Sequence, residues 1–261
     1  MVKWFSALIL SVLALSFSSY AKEKLHIAVA ANFSAPVKTL AQLFELQCEC
    51  SVLVTSGSTG MLFAQIVNGA PYDIFLAANS QHPLQLQQQQ LIVEGSRFTY
   101  AVGQLVWWQP QGGADVSEVS KVNEASVRQW QQPLALANPK LAPYGVAAAK
   151  TLAHFGDSPV TKVKRIQGNN AAQTYQFIHS GNVAAGFVAV SQVLERPREE
   201  YWLVPPALYV EPIEQQLVIL KASNNILLAQ QFSDILRSPQ GEEIIRAAGY
   251  TFAASQNQQV P

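Results

Sequence analysis

The segments Ala30-Ala31-Asn32-Phe33-Ser34 and Ser56-Gly57-Ser58-Thr59-Gly60 are the starting point for the fold that we predict for this chain. Each segment follows a predicted strand and precedes a predicted amphipathic helix. The N-terminus of a helix carries unpaired backbone N–H groups and the positive end of the helix dipole, so such a turn is suited to an anion. Neither segment contains Lys, Arg or His. The sequence therefore predicts an anion site that uses hydrogen bonds alone.

Strands and helices alternate on both sides of these turns. In the first part of the chain we predict strands at 25–31, 51–55 and 73–77 and helices at 35–47, 61–67 and 83–90. A second alternating series follows between 134 and 190. Such alternation is typical of an α/β fold with mainly parallel sheets flanked by helices. Ligands of such sheets bind outside the carboxyl ends of the strands, where both turns lie.

Two crossings of the chain, near 101–106 and 208–216, indicate two lobes. We expect lobe I to comprise 22–103 plus 213–261, and lobe II to comprise 104–212. Two lobes that are joined by two strands form a cleft, and a hinge motion can close it around a ligand.

The first 21 residues are predicted to be a cleavable export signal. Lys3 is followed by an apolar run from Phe5 to Phe17, and Ala21 ends a small–x–small cleavage site. The run is shorter than the ~20 residues of a typical membrane span. An uncleaved anchor or a lipoprotein is the alternative, but no Cys follows the run to carry a lipid. We therefore expect a mature exported chain of about 240 residues.

Composition limits the classes of function. The chain is 49% hydrophobic and 13% charged, with a formal net charge of zero. This balance is typical of a globular protein and lacks the basic footprint of a nucleic-acid-binding protein. The two cysteines, Cys48 and Cys50, form an isolated C-x-C, which is a poor metal site without further ligands. The sequence leaves open whether they are free thiols or a disulfide.

The second turn also has two competing interpretations. It resembles part of the G-x-S-x-G motif of serine hydrolases, although Ser56 stands in the first position. A hydrolase that used Ser58 would need a histidine, for which His154 and His179 are the candidates in lobe II. The turn is not a P-loop, because no Gly-Lys-Ser/Thr follows. By itself it would more often be an ordinary Gly/Ser turn.

Three motifs that occur in order along the chain favour a different interpretation of this turn. Ala30-Ala31-Asn32 and the Ser58 turn are followed by Gly69-Ala70-Pro71-Tyr72-Asp73-Ile74-Phe75. In this combination the chain resembles the periplasmic molybdate-binding proteins of ABC importers, as far as Gly249-Tyr250-Thr251-Phe252. The resemblance implies a type II periplasmic-binding-protein fold and a ligand cleft between the lobes. It also implies capture of molybdate, and of tungstate, for delivery to a membrane permease.

The resemblance implies a set of ligand contacts. Asn32 would donate from its side-chain amide, and the hydroxyl turn corresponds to Ser58 and Thr59. Tyr144, in a Pro-x-Gly turn, would donate from its hydroxyl or backbone N–H, and Ala171 from its backbone N–H. These residues would contact the oxygens of the oxyanion without binding its metal directly, and no cofactor is expected.

One position departs from the family pattern. Many members have a ligand-binding Tyr in the strand after that helix, where this chain has Ala189. One subgroup takes its Tyr from the Pro-x-Gly turn instead, and Tyr144 fits that version. We therefore expect the Tyr to be relocated rather than lost.

Three other functions compete with the molybdate receptor. They are a receptor for another small oxyanion such as sulfate, a secreted serine hydrolase that uses Ser58, and a ligand-sensing regulatory domain. The export signal and the lack of a DNA-binding helix-turn-helix disfavour the last. We expect a periplasmic, monomeric, non-enzymatic protein.

Overall fold

The computed structural model describes residues 22–110, 122–209 and 211–252. The predicted export signal, 1–21, lies outside the described residues. Within these ranges, no helix combines the length and the apolar character needed to cross a membrane.

The first sheet combines strands from both ends of the chain. Its strands, numbered in chain order, are β1 (Glu23–Ala30), β2 (Cys50–Gly57), β3 (Ile74–Ala77), β4 (Phe98–Gly103) and β10 (Ile213–Ile219). They lie in the spatial order β2-β1-β3-β10-β4. β1 is a central strand that is buried on both faces: Leu25 and Ile27 pack into one core cluster, and Ala28 packs into another. This explains why its sequence is a nearly continuous apolar run.

The second sheet contains the strands between the two crossings. They are β5 (Leu105–Trp108), β6 (Leu134–Ala137), β7 (Arg165–Gly168), β8 (Ala185–Ala189) and β9 (Tyr201–Leu203). Their spatial order is β7-β6-β8-β5-β9. Trp107 and Trp108 of β5 are both buried, on opposite faces of this sheet.

Helices cover both faces of each sheet. They are α1 (Ser34–Glu45), α2 (Thr59–Val67), α3 (Gln81–Gln88), α4 (Glu124–Arg128), α5 (Pro143–His154), α6 (Pro159–Lys162), α7 (Ala171–His179), α8 (Ile226–Arg237) and α9 (Pro239–Ala247). We call the first sheet with α1–α3, α8 and α9 lobe I, and the second sheet with α4–α7 lobe II. Each lobe has one core cluster on each face of its sheet.

The sheets are more mixed than the sequence indicated. β1 runs parallel to β2 and β3, and β6 runs parallel to β7 and β8. In contrast, β10 is antiparallel to β3 and β4, and β5 is antiparallel to β8 and β9. The chain reaches β5 and β10 by passing between the lobes, not over a helix within one lobe. It therefore enters each sheet without the crossover connection that parallel neighbours require.

The cysteines that the sequence left unassigned form a disulfide. Cys48 follows α1 and Cys50 begins β2, with 5.1 Å between their Cα atoms. This separation lies within the normal range for a disulfide.

Phe232 of α8 provides a test of the lobe I core. Its side chain is fully buried and contacts Phe44 of α1 edge to face, with 5.5 Å between the ring centroids. We expect Phe232→Ala to lower the free energy of unfolding by about 3–5 kcal/mol, because it leaves a cavity between packed helices. Urea denaturation measures the change. The matched control is Leu227→Ala in the same helix, where the side chain is 77% exposed, and it should change stability by less than about 0.5 kcal/mol. Equal effects of the two substitutions would contradict this packing.

Candidate functional site

The N-termini of helices from both lobes meet at the carboxyl ends of the strands. In lobe I, the 3₁₀ turn Ala31–Phe33 follows β1, and α2 follows β2. In lobe II, α5 follows β6, and α7 follows β7. The first N–H groups of each helix have no partner within the helix, and they lie at the positive end of its dipole. This arrangement favours a bound anion.

The two lobes touch each other at these N-termini. The Gly60 N–H, in the first turn of α2, donates to the carbonyl of Leu141 just before α5, over 2.9 Å. The N-terminal part of lobe I also approaches α7, which contacts the turn Ala31–Phe33. Ala30, at the end of β1, shares a buried cluster with Tyr144 of α5. These contacts bring the predicted site residues of both lobes to one region of the cleft.

Ser58 and Thr59 are buried where α2 begins. Ser58 is the N-cap, and its hydroxyl accepts from the Met61 N–H at 3.4 Å. The Thr59 hydroxyl accepts from the Ala78 N–H at 3.1 Å. A hydroxyl that accepts a hydrogen bond still has its own proton to donate. Neither proton is directed to another group in the described part of the chain, so both remain available for a ligand oxygen.

Asn32 lies in the same region of the cleft, but its side-chain amide already donates two hydrogen bonds. Its Nδ2 donates to the Oε1 of Gln215 and to the hydroxyl of Tyr250, each over 3.0 Å. Its backbone N–H has no partner within the short 3₁₀ turn. The donor available at Asn32 is therefore the backbone N–H, which differs from the side-chain amide that the resemblance implied.

Tyr144 brings an unsatisfied hydroxyl to the same region. It is the second residue of α5 and is 3% exposed. Its hydroxyl lies beside that of Tyr250 but makes no well-formed hydrogen bond to any described residue. Burial, and to a smaller extent the neighbouring Tyr250, raise the pKa of Tyr144 well above its ordinary value. The hydroxyl lies against Gly103 at the end of β4, where any side chain would overlap it. A buried polar group without a partner is costly, so a ligand that accepts from this hydroxyl would be stabilised.

Ala171 places a backbone donor opposite lobe I. It is the first residue of α7, and the side chain of the N-cap Asn170 accepts from the Gln173 N–H at 2.9 Å. That bond leaves the Ala171 N–H without a partner inside the helix. The Ala171 carbonyl accepts from Gln192 at 3.0 Å, which ties the start of α7 to the turn after β8.

Three further residues lie beside Asn32 that could not be assigned from the sequence. Gln215 is fully buried at a bulge in β10, and Tyr250 follows α9. Ser191 lies in the 3₁₀ turn after β8 and donates to the Asn32 carbonyl at 2.9 Å. The polar run Glu214-Gln215-Gln216 inside a strand that is apolar at its other positions was the available signal for Gln215. Tyr250 stood in the Gly249-Tyr250-Thr251-Phe252 segment of the resemblance, but no local signal indicated that it or Ser191 contacts Asn32, since these contacts join residues far apart in the sequence.

Neither histidine that a hydrolase mechanism would require lies beside Ser58 in the described part of the chain. His154 lies in the last turn of α5, at the end opposite to Tyr144, and the His179 Nδ1 lies 3.0 Å from Arg196. No described histidine is hydrogen-bonded to Ser58.

Metal ligands are also lacking in the ranges that the structure describes. No cluster of three or more His, Cys, Asp or Glu side chains is placed there to hold a metal ion. The five predicted site residues carry no charge, so the cleft offers donors but no counter-ion among them.

Ala189 ends β8 and is fully buried in the cluster that contains Tyr144. A small side chain thus lies where many relatives are expected to carry a Tyr. The expectation that Tyr144 replaces that Tyr stays a prediction.

Comparisons with known proteins agree over most of the chain. The family described as bacterial extracellular solute-binding protein matches residues 25–251. The molybdate-binding protein ModA of Azotobacter vinelandii is 43% identical over 87% of this chain and 89% of that protein. ModA of Rhodobacter capsulatus is 38% identical over 85% and 86%. The solved periplasmic molybdate-binding protein of Azotobacter vinelandii superposes with a TM-score of 0.76 at 35% identity, covering 88% of this chain and 100% of that one. The motif resemblance and the two-lobed α/β fold are thereby confirmed.

The buried tyrosines give the site a pH signature. Burial raises the pKa of Tyr250 to about 12, whereas an unfolded tyrosine titrates near 10. Its contribution to stability is therefore complete below pH 10 and is lost as the pH rises from 10 to 12. We expect the free energy of unfolding of the wild type to fall by about 1 kcal/mol per pH unit more steeply than that of Tyr250→Phe in this window. Urea titrations at several pH values measure both slopes, and equal slopes would contradict the burial of the hydroxyl.

Proposed function

This chain belongs to the bacterial extracellular solute-binding protein family, and we propose that it captures molybdate, and also tungstate, by hydrogen bonds. The ligand would lie in the cleft between the lobes and would be delivered to the permease of an ABC importer. The relatives that are named molybdate-binding proteins support this choice of ligand.

The observation that carries the proposal is the buried Tyr144 hydroxyl, which has no partner among the described residues and lies in a cleft bordered by helix N-termini. A tetrahedral dianion would accept from this hydroxyl and from the hydroxyls of Ser58 and Thr59. The backbone N–H groups of Asn32 and Ala171 would complete the set. Each such bond to a charged acceptor contributes about 1.5–3 kcal/mol.

The distribution of donors favours the closed form. Asn32, Ser58 and Thr59 belong to lobe I, and Tyr144 and Ala171 belong to lobe II. An anion can contact all five only when the lobes are together, so binding shifts the population toward closure. The permease would then distinguish the loaded protein from the empty one by its shape.

Selectivity would follow from size and protonation. A ring of donors spaced for the longer metal–oxygen bonds of molybdate fits the smaller sulfate loosely. Phosphate carries at least one proton at neutral pH, and a site that offers only donors gives that proton no acceptor. Tungstate has nearly the same size and charge as molybdate, and we expect little discrimination between them.

The remaining features of the proposal concern the protein as a whole. We place it in the periplasm as a monomer without a catalytic role or a cofactor. We also propose that lobe I comprises 22–103 and 213–261 and that lobe II comprises 104–212. The strands of the first sheet fall within the former ranges, and those of the second sheet within the latter.

Calorimetric titration with four anions tests the ligand. We expect the ligand-free mature protein to bind one molybdate or one tungstate, with no detectable heat from sulfate or phosphate. Sulfate that bound equally well would restrict the assignment to a general oxyanion receptor. No binding of any of the four would overturn the proposal.

Tyr144→Phe tests the observation that carries the proposal. We expect this variant to bind molybdate about ten- to a hundredfold more weakly, because it loses one hydrogen bond to a charged acceptor. The matched control is Tyr201→Phe, which removes a hydroxyl from the edge strand β9 of the same lobe and should leave affinity unchanged. Isothermal titration measures both. An unchanged affinity in Tyr144→Phe would exclude its hydroxyl from the site.

A further inference from the structure

We propose that Ser191 and Tyr250 are positioning residues that hold the cleft closed. Their hydroxyls contact each other and the carbonyl of Asn32, and we call this group of three residues the latch. The inference rests on the proposed function and deepens it, since it identifies what opposes ligand release. Neither residue would contact the anion. Both would act through the backbone of Asn32.

Both hydroxyls of the latch donate to the same carbonyl group, that of Asn32. The Tyr250 hydroxyl donates to the Asn32 carbonyl at 2.8 Å, and the Ser191 hydroxyl donates to the same carbonyl at 2.9 Å. The two hydroxyl oxygens lie 3.2 Å apart. A carbonyl oxygen has two lone pairs, and each hydroxyl has one proton. The two hydroxyls therefore satisfy both lone pairs of the Asn32 carbonyl.

The members of the latch belong to different lobes. Asn32 follows β1 and Tyr250 follows α9, both in lobe I, whereas Ser191 follows β8 in lobe II. Asn32 and Tyr250 are each 4% exposed. If the lobes separate, the Ser191 hydroxyl leaves and the buried Asn32 carbonyl loses one of its two donors. Opening the cleft thus has a free-energy cost at this point.

Apolar contacts reinforce the same junction. Gly249 has a φ of +81°, and a Cβ there would lie 2.7 Å from Cγ1 of Val190 and 3.0 Å from Cδ1 of Leu194. Only glycine allows both this backbone conformation and this close approach. The lobe II segment around Ser191 therefore rests directly on the turn that carries Tyr250.

The junction is coupled to the anion site through the Asn32 turn. The Asn32 side chain also donates to the Tyr250 hydroxyl, over 3.0 Å. Bonds to both the side chain and the carbonyl of Asn32 fix the orientation of the Ala31–Phe33 turn. The backbone N–H of Asn32, which is one of the proposed ligand contacts of lobe I, belongs to that turn. Loss of the latch should therefore speed ligand release more than it slows capture.

Stopped-flow binding of molybdate tests the kinetic prediction. We expect Ser191→Ala to release molybdate about three- to tenfold faster, with association within twofold of the wild type. Ser191→Thr keeps the hydroxyl and should restore slow release. The matched control, Ser180→Ala, removes an exposed hydroxyl at the end of α7 and should leave both rates unchanged. Unchanged release in Ser191→Ala, with normal binding by the wild type, would overturn the latch.

A double-mutant cycle tests whether the two hydroxyls act together. Since Ser191 and Tyr250 share one acceptor, the effect of Ser191→Ala plus Tyr250→Phe on release should differ from the product of the two single effects. Equal stability of ligand-free Ser191→Ala and wild type would show that the latch acts on closure and not on folding. A product of independent effects would refute a shared latch.

A measurement without ligand separates this inference from the proposed function. Spin labels at Leu227→Cys in lobe I and Leu203→Cys in lobe II, both exposed positions, report the distance between the lobes. Ser191→Ala should shift the ligand-free distance distribution toward longer values, and Ser180→Ala should not. An identical distribution would refute the latch even if molybdate binds. A shift in a protein that binds none of the four anions would support the latch and refute the proposed ligand.

Discussion

The proposed site depends on the backbone N–H groups at the N-termini of helices, which have no partner within their helix. Each parallel strand in these lobes leads into a helix, so the carboxyl edge of each sheet collects positive dipole ends. Facing edges from two lobes enclose a region that is rich in donors and, at the five proposed positions, free of charge. Such a region can stabilise an anion without a permanent counter-ion, because its dipoles are fixed before the ligand arrives.

The surrounding packing keeps these donors in place. The buried β1 carries the Ala31–Phe33 turn between two core clusters, and Gly103 leaves room for the Tyr144 hydroxyl. The bulge in β10 lies at Gln215, which accepts from Asn32. The side chain of Asn32 is thus held by a strand that the chain reaches by crossing between the lobes. The same segments that join the lobes also orient the proposed ligand contacts.

Much of this arrangement could be predicted from local sequence. Apolar runs of the right length predicted β1 and β3, and the Ser/Gly turn predicted the start of α2. The positions of Tyr144 and Ala171 followed from the resemblance and fall at the N-termini of α5 and α7. Other details could not be predicted. The crossing near 101–106 was predicted, but not that the chain there forms two strands, β4 and β5, which belong to different sheets. An apolar run alone does not reveal where a strand leaves one sheet for another.

The sequence by itself determined the alternation of strands and helices, the neutral hydroxyl-rich turns and the family motifs, because these depend on residues close together in the chain. Only the tertiary structure decided which donors remain available. It engaged the Asn32 amide with Gln215 and Tyr250, left the Tyr144 hydroxyl without a partner among the described residues, and brought Ser191 to the Asn32 carbonyl. Asn32 is separated by 218 positions from Tyr250 and by 159 from Ser191. Contacts over such distances depend on how two lobes pack, which no local pattern encodes.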